Sequence, residues 1–96
     1  MNLVEIYNEH LNDPIELSRR IRKGTKVQIG SKETIEKGGD IAFGTNRRML
    51  RLAGRVTIVE DIERVWHHKV GTTFSLDIDD SHSSWHIYMI DRIIEF

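Results

Sequence analysis

Two segments of the chain carry hydrophobic patterns that strongly limit its folds. Residues 49–53 have the composition of a short apolar helix, Gly54 is a typical helix stop, and residues 56–59 favour a strand. Residues 73–79 alternate strictly between apolar and polar side chains, which predicts a strand with one buried face. Short strands at close spacing, separated by glycine and polar turns, are typical of small barrels. The sequence therefore predicts a mostly β (α+β) fold, a small barrel with one short inserted helix.

The N-terminal residues predict a helical arm in front of this barrel. In residues 2–11, apolar side chains recur at the spacing of one helix face, which predicts an amphipathic helix. Asp13 and Pro14 are then typical of an N-cap and a first helical position. Because proline disfavours one unbroken helix through this point, we expect a helical hairpin or a sharply broken helix. The predicted organisation is a helical extension, residues 1–23, followed by one barrel domain, residues 24–96.

The predicted strands share a dry interior. Residues 26–29 alternate polar and apolar side chains, as expected for a half-buried strand. We expect the following apolar side chains to converge in the core: Val27, Val56, Ile58, Phe74, Leu76, Ile78 and Trp85. Between the first two strands, residues 30–44 contain Gly38-Gly39 and predict a long connection, of a kind that often has a binding role.

Composition excludes several classes of protein and of site. The 96 residues fit one domain, and 39% apolar with 30% charged residues is ordinary for a globular chain. Cysteine is absent, which excludes disulfides and thiolate metal sites and is compatible with the reducing cytoplasm in which we expect the protein. No apolar run approaches the length of a membrane span, and the acidic N-terminus does not resemble a signal peptide. With a net charge of −1, the whole chain provides no long-range attraction toward nucleic acid.

Metal binding is one alternative that the sequence raises. The candidate ligands are His67, His68, His82 and His86, with Asp77, Asp79 and Asp80 close to them in sequence. Adjacent histidines on a strand point to opposite faces, so His67 and His68 would not share one ion. The three aspartates lack the glycine and the closing glutamate of a calcium loop. We therefore expect ordinary, solvated turn and barrel-rim residues, without a metal ion or other cofactor.

Nucleophilic catalysis has little support in the sequence. There is no cysteine, no G-x-S-x-G elbow and no glycine-rich loop that leads into a helix with lysine. Serine and histidine are present, so composition alone leaves a serine hydrolase open. We expect a protein that is not an enzyme.

Basic residues are concentrated in two sets. One set falls within eight positions and has no acidic residue among its members: Arg19, Arg20, Arg22, Lys23 and Lys26. The second consists of Arg47, Arg48, Arg51 and Arg55. Such clusters contact phosphates or an acidic partner protein. Alternatively, they form a solvated helix face in which Arg22 and Lys23, just before Gly24, compensate the helix dipole. No aromatic residue lies among these arginines, although single-strand nucleic-acid binders normally have one there.

The two tryptophans have different predicted roles. Trp85 and Phe74 are expected to pack in the core. Trp66 is instead a candidate for an exposed anchor at an interface, where tryptophan is over-represented. The predicted partner-binding residues are Arg19, Arg20, Arg22, Lys23 and Trp66. The amphipathic helix of residues 2–11 is the candidate for contacts between copies of the chain.

Several stretches of the sequence together resemble a known family. They are residues 24–29, 38–44, 49–58, 76–80 and 88–91, together with Trp85. The pattern is similar to that of short proteins encoded by phages and prophages of Gram-positive bacteria, which share an SH3-like, or Mind-bomb-type, β-barrel. In that pattern a short helix holds M-L before A-G or R-G, as Met49-Leu50 and Ala53-Gly54 would here.

The resemblance covers residues 24–92 and leaves the extension outside it. Members often have a second aromatic residue soon after the tryptophan, where this chain has His86. The resemblance implies an SH3-like barrel, a phage or mobile-element origin and a non-catalytic accessory role in the host cytoplasm. In that role the protein binds a host protein and blocks it, for example a defence nuclease. The alternative is a nucleic-acid-binding module that uses the basic arm; no membrane partner is expected.

Overall fold

The structure, a computed structural model, describes residues 13–96. Within this range the chain forms three α-helices, five β-strands and one 3-10 helix. The helices are Pro14–Ser18 (α1), Lys32–Ile41 (α2) and Arg47–Arg51 (α3). The strands are Lys26–Ile29 (β1), Val56–Ile62 (β2), Thr73–Leu76 (β3), Trp85–His86 (β4) and Ile90–Glu95 (β5), and the 3-10 helix is Ile87–Met89. The predicted amphipathic helix of residues 2–11 lies outside the described residues.

All five strands belong to one antiparallel sheet with the order β4-β3-β2-β1-β5. The register of β1 against β5 shifts twice, and that of β2 against β3 shifts between Val59 and Asp61. Irregularities of this kind bend strands and increase their twist, and the sheet curls into a half-barrel. β4 and β5, which the 3-10 helix joins, lie at opposite ends of the strand order. The predicted mostly β, α+β class is confirmed.

The inner face of the sheet confirms most of the predicted core. Val27, Phe74, Leu76 and Trp85 are fully buried, and Ile78 is partly buried against them. Other apolar side chains from outside the strands complete the same core: Leu17, Ile21, Ile35, Met49 and Met89. One core therefore joins the sheet to all three described helices.

Strand β2 turns the opposite face inward from the one predicted. Val56 and Ile58 are each 46% exposed, whereas Thr57 and Val59 are buried. All four residues are β-branched, so the segment has no alternation that would indicate its buried face. The pairing of β2 with β3 determines which face of β2 is buried, because Val59 lies opposite Leu76, which is fully buried. The expectation that Val56 and Ile58 line the interior is wrong.

Helix α2 occupies most of residues 30–44, which the sequence predicts to be a connection. Ser31 caps it, because its Oγ accepts the N–H of Thr34 (3.1 Å). Gly38 lies on the buried side, where a Cβ would meet Cγ of Met89 at 2.7 Å. Glycine therefore lets α2 approach the 3-10 helix closely, although it lowers the intrinsic helix propensity. The prediction of a long connection is therefore wrong. The predicted short inserted helix is present as α3, but it is the second of two helices between β1 and β2.

Helix α1 begins as predicted. Asp13 Oδ1 accepts the N–H of Ile15 (3.0 Å), which confirms the predicted N-cap. The helix ends at Ser18, before the end of the predicted helical extension at residue 23. The buried Leu17 and Ile21 join the core of the sheet. As far as the structure describes the arm, it packs on the half-barrel.

A buried carboxylate organises the turn after β3. Asp79 Oδ2 accepts the indole N–H of Trp85 (2.9 Å) and the N–H of Ser83 (3.2 Å), and Oδ1 accepts the N–H of Ser81 (3.0 Å). Burial alone would raise the pKa of Asp79, but the hydrogen bonds from Ser81, Trp85 and Ser83 outweigh it and hold the pKa below its usual value. The expectation of a solvated turn residue is wrong for Asp79, which fixes Trp85 in the core.

Replacing Asp79 by alanine removes the acceptor of a buried indole N–H and of two backbone N–H groups. We expect Asp79→Ala to lower the free energy of unfolding by about 2–3 kcal/mol, because hydrogen bonds to charged groups are stronger than neutral ones. Urea unfolding at neutral pH measures the change. The exposed neighbour gives a matched control, Asp80→Ala, with an expected change below about 0.5 kcal/mol.

The direction of the Asp79 pKa shift determines how this loss of stability depends on pH. The folded-state pKa of Asp79 is lowered, so its contribution to stability is complete at neutral pH. The contribution is lost as the pH falls below about 3.9 and through the folded-state value. Equal stability of Asp79→Ala and Asp80→Ala at neutral pH would contradict the role of Asp79.

Candidate functional site

A tight turn between β2 and β3 presents Trp66. The N–H of His67 donates to the carbonyl of Gly71 (3.0 Å), and the N–H of Gly71 donates back to the carbonyl of His67 (2.7 Å). Immediately before this turn, Val65 is 78% exposed and Trp66 is 40% exposed. The two hydrogen bonds close the turn between His67 and Gly71, and the exposed apolar pair lies directly before it.

Buried atoms of α1 support this turn from below. Ser18 is fully buried; its Oγ donates to the carbonyl of Ile15 (2.6 Å) and accepts the N–H of Thr72 (3.1 Å). A Cβ at Gly71 would overlap Ser18 Oγ and would also meet Cη2 of Trp66 at 3.0 Å and Cγ2 of Ile15 at 3.2 Å. Gly71 therefore allows the indole edge and α1 to meet over the turn.

Arg19 covers the ring of Trp66. Its Cζ lies 4.2 Å from the ring centroid, and its Nε donates to Glu16 Oε1 (3.1 Å). A cation–π contact of this kind is worth about 0.5–1 kcal/mol at an exposed site. Arg19 and Trp66, which are both predicted to bind a partner, are therefore in contact with each other.

Two cations flank this apolar pair in the sequence. Arg64 and Lys69 lie on the same connection and are exposed. The acidic groups nearby are engaged, because Glu16 pairs with Arg19 and Glu63 accepts hydrogen bonds from two hydroxyls. We call this region the Trp66 surface; its residues are Arg19, Arg64, Val65, Trp66 and Lys69.

The rest of the predicted basic site is dispersed. Arg20, Arg22 and Lys23 are exposed and lie beyond the end of α1. The alternative in which Arg22 and Lys23 compensate a helix dipole is wrong, because the helix ends at Ser18. Lys23 lines a shallow depression beside Ile58, on the outer face of the sheet. Of the four predicted arm residues, Arg19 is the one with a recorded contact to Trp66.

The histidines do not form a metal centre in the described part of the chain. Among residues 13–96, no three His, Cys, Asp or Glu side chains are placed to hold one metal ion. The rings of His67 and His68 stack with centroids 4.9 Å apart at 14°. The expectation that they point to opposite faces is wrong, because they lie in a turn and not in a regular strand.

His86 is buried beneath an aromatic cluster. It is fully buried, and neither ring nitrogen has a hydrogen-bond partner. Its ring centroid lies 6.2 Å from that of Phe43, which in turn lies 5.1 Å from that of His67. Burial has the largest effect on the pKa of His86 and lowers it. The backbone carbonyls of Ala42 and Gly38 oppose this shift, although neither accepts a hydrogen bond of good geometry, and His67 lowers the pKa further. The expectation of a barrel-rim residue is wrong for His86.

Sequence reasoning missed the support that Ser18 and Gly71 give to the site, and it missed the burial of His86. Ser18 and Gly71 meet residues far from them in the chain, so local sequence carries no signal for their contacts. His86 directly follows Trp85, and the two pair with β3 residues Phe74 and Thr73. Alternation along a strand would place His86 on the face opposite Trp85, so local sequence carries no signal for its burial.

The comparisons with known proteins are negative. No protein-family model matches the chain, and neither a curated protein nor a solved structure matches it significantly. In the described residues, no helix is both long and apolar enough to cross a membrane.

Alanine at Gly71 should disturb the Trp66 surface more than alanine at a comparable glycine. Gly71 and Gly54 have nearly equal φ angles, +74° and +77°, so alanine has a similar backbone cost at both, about 1–2 kcal/mol. An added Cβ at Gly71 overlaps Ser18 Oγ and also meets Trp66 and Ile15, whereas at Gly54 it meets no atom within 4 Å. We expect Gly71→Ala to lose more unfolding free energy and to shift tryptophan emission. Equal losses with unchanged emission would contradict the packing described above.

His86 should make stability dependent on pH. Its pKa is lowered in the folded state, so the unfolded chain binds protons first as the pH falls below about 6.5. Stability should therefore decline from that pH toward the folded-state pKa, with a slope of up to about 1.4 kcal/mol per pH unit from this residue.

The variant His86→Leu tests this dependence, because leucine has no ring nitrogen to protonate or to leave unpaired. Urea unfolding across this pH range should show a flatter profile for His86→Leu than for the wild type. The exposed His68 gives the matched control, His68→Leu. If both variants keep the wild-type slope, His86 does not cause it.

Proposed function

We propose that this chain is a non-catalytic binding protein that docks a macromolecular partner through the Trp66 surface. The observation that carries the proposal is an indole that is 40% exposed and yet held by Arg19 on its face and by Gly71 at its edge. Tryptophan and arginine are the residues most enriched among those that dominate binding energy. Their juxtaposition outside a deep pocket favours a macromolecule over a small ligand.

The rigid support of Trp66 favours tight binding for a physical reason. Binding normally costs about 0.5–1.5 kcal/mol for each flexible side chain that becomes ordered. Ser18 and Gly71 order the turn before any partner arrives, so this cost is reduced. Arg64 and Lys69 add positive charge beside the apolar pair, which favours a partner with acidic groups around an apolar contact.

The nature of the fold and of the partner rests on the family resemblance. The curled sheet and the helix that holds Met49-Leu50 before Ala53-Gly54 support an SH3-like barrel. A barrel of that type would make the chain a phage-type accessory protein. The partner that we propose is then a host protein, and the consequence of binding is inhibition of a defence protein.

A second candidate function is nucleic-acid binding by the basic segment. The observation that favours it is the exposure of Arg19, Arg20, Arg22 and Lys23 within one short stretch outside the helix. Contacts between these side chains and phosphates would release counterions, so binding would weaken steeply with salt. The two functions therefore differ in their salt dependence and in their need for Trp66.

The test is capture of a host protein by tagged wild-type chain, followed by affinity measurement with the purified partner. We expect Trp66→Ala to weaken binding by about 2 kcal/mol, roughly 30-fold, as for a central aromatic anchor. Ile41→Ala removes an exposed apolar side chain from another element and serves as the matched control. Unchanged affinity of Trp66→Ala would contradict the proposal.

A parallel titration separates the second candidate. A variant with Arg19, Arg20, Arg22 and Lys23 all changed to Glu is tested against duplex and single-stranded DNA at low and high salt. Salt-sensitive DNA binding that this variant loses and Trp66→Ala keeps would favour the nucleic-acid function. Absence of DNA binding at low salt would leave the protein partner as the supported function.

A further inference from the structure

The ring of His86 has two nitrogens without hydrogen-bond partners. Both are shielded from solvent, and among residues 13–96 they are the only buried side-chain nitrogen or oxygen atoms that lack a partner. Buried polar atoms are normally paired, because an unpaired one loses its hydrogen bonds to water without replacement. A protonated ring would need two acceptors, one for each N–H group. The surroundings of His86 therefore suit neither the neutral nor the charged ring.

Phe43 lies on the solvent side of this ring. Phe43 is 55% exposed, whereas His86 is fully buried, and the two ring centroids are 6.2 Å apart. The φ angle of Phe43 is +71°, a left-handed conformation that is strained for a bulky side chain. Movement of Phe43 would therefore relieve backbone strain and admit water to His86.

Two backbone carbonyls at the end of α2 are ready acceptors for a charged imidazole. Burial lowers the pKa of His86, whereas the carbonyls of Ala42 and Gly38 act in the opposite direction. Neither carbonyl accepts a hydrogen bond of good geometry from the ring. The charged side chains nearest to them in sequence, Lys37 and Asp40, are exposed. A small movement of the connection between α2 and α3 would let these carbonyls, or water, bind a protonated ring.

The groups around His86 include no compensating negative charge. Among residues 13–96, the titratable side chains that face its ring are His67, from the turn between β2 and β3, and Tyr88, from the 3-10 helix. No carboxylate in that range forms an ion pair with His86, and the nearby Glu63 is bound by two hydroxyls. The ring of Phe43 meets that of His67 edge to face, with centroids 5.1 Å apart at 64°. A proton on His86 therefore meets no counter-ion while Phe43 stays in place.

We propose that protonation of His86 displaces Phe43, which acts as a pH-dependent cover of this ring. Water and carbonyls stabilise the charged ring in the open form, so the open form binds the proton more tightly than the covered form. A ligand shifts a conformational equilibrium toward the state that binds it better, and the ligand here is a proton. Acid therefore favours the open form at pH values below about 6.5, the ordinary value for imidazole.

The opening is a local change in a folded chain, in addition to the effect of His86 on global stability. It also removes the contact between Phe43 and His67, which directly follows Trp66. Acidification would therefore alter the turn that presents Trp66. Because the conformation of the free chain is measured, the test does not depend on the function proposed above.

NMR spectroscopy of the full chain as a function of pH tests the proposal. Imidazole resonances report the protonation of each histidine, and NOEs between rings report the contacts of Phe43 with His67 and His86. We expect these contacts to disappear with the same midpoint as the protonation of His86, while NOEs between the paired Val27 and Thr57 persist. Contacts that persist when His86 is protonated would overturn the proposal. So would simultaneous loss of the NOEs within the sheet, because the chain would then unfold as a whole.

The variant Phe43→Asn removes the cover and keeps its backbone conformation accessible, because asparagine tolerates a left-handed φ. We expect the protonation midpoint of His86 to rise toward the ordinary value by at least about half a pH unit. Val65→Asn makes a similar change at a position that is 78% exposed and should leave the midpoint unchanged. An unchanged midpoint in Phe43→Asn would contradict the covering role.

The variant His86→Leu separates His86 from His67 as the cause of the opening. Leucine cannot be protonated, so this variant should keep the contact between Phe43 and His67 at acidic pH. The exposed His68 again gives the matched control, and His68→Leu should lose the contact as the wild type does. Loss of the contact in His86→Leu with the wild-type midpoint would assign the change to His67 and overturn the proposal.

Discussion

The hydrogen bond from the indole of Trp85 to the carboxylate of Asp79 fixes the connection between β3 and β4, at one end of the curled sheet. Trp85 is fully buried, and an unpaired N–H there would be costly. Asp79 satisfies it and also binds the N–H groups of Ser81 and Ser83, which fixes the path between β3 and β4. The 3-10 helix then leads directly from β4 into β5, which pairs with β1 at the other end of the sheet. Helix α2 packs on the same 3-10 helix through Gly38.

Buried contacts, and not the exposed ones, stabilise the Trp66 surface. The pair of Arg19 with Glu16 is well exposed, and such pairs contribute little to stability. Ser18 is fully buried and binds the N–H of Thr72, so the link between α1 and the turn does not depend on solvent-screened charges. An exposed aromatic group on a rigidly supported loop is the usual way in which a scaffold presents a binding residue.

Sequence was sufficient where a residue's environment is set locally. The N-cap Asp13 and the core positions of Phe74 and Leu76 follow from rules that act over a few residues, and the structure confirms them, although the strand ends at Leu76 and not at residue 79. It was insufficient for β2, where four consecutive β-branched residues suit either face and only the pairing with Leu76 decides. It also failed for α2, where the packing of Gly38 against Met89 overrides low helix propensity.

The same limit applies to the candidate site. Trp66 and Arg19 are each recognisable from sequence, by residue type and by the charge of their neighbourhood. Their contact is not, because it depends on α1 ending at Ser18 and on Gly71 leaving room for the indole edge. His86 was missed for a related reason: the turn residues before it indicate solvent, whereas its pairing with Thr73 carries it into the interior.

The exposed side chains of β2 have no role in the core. Thr57 and Val59 supply the inner face of this strand, and the neighbouring β1 positions on the outer face are the polar Lys26 and Gln28. Threonine at positions 56 and 58 would keep the strand preference of a β-branched residue without exposing aliphatic surface. Val56 and Ile58 are thus dispensable for the core of the single chain. Their apolar groups gain an energetic role once another surface covers them.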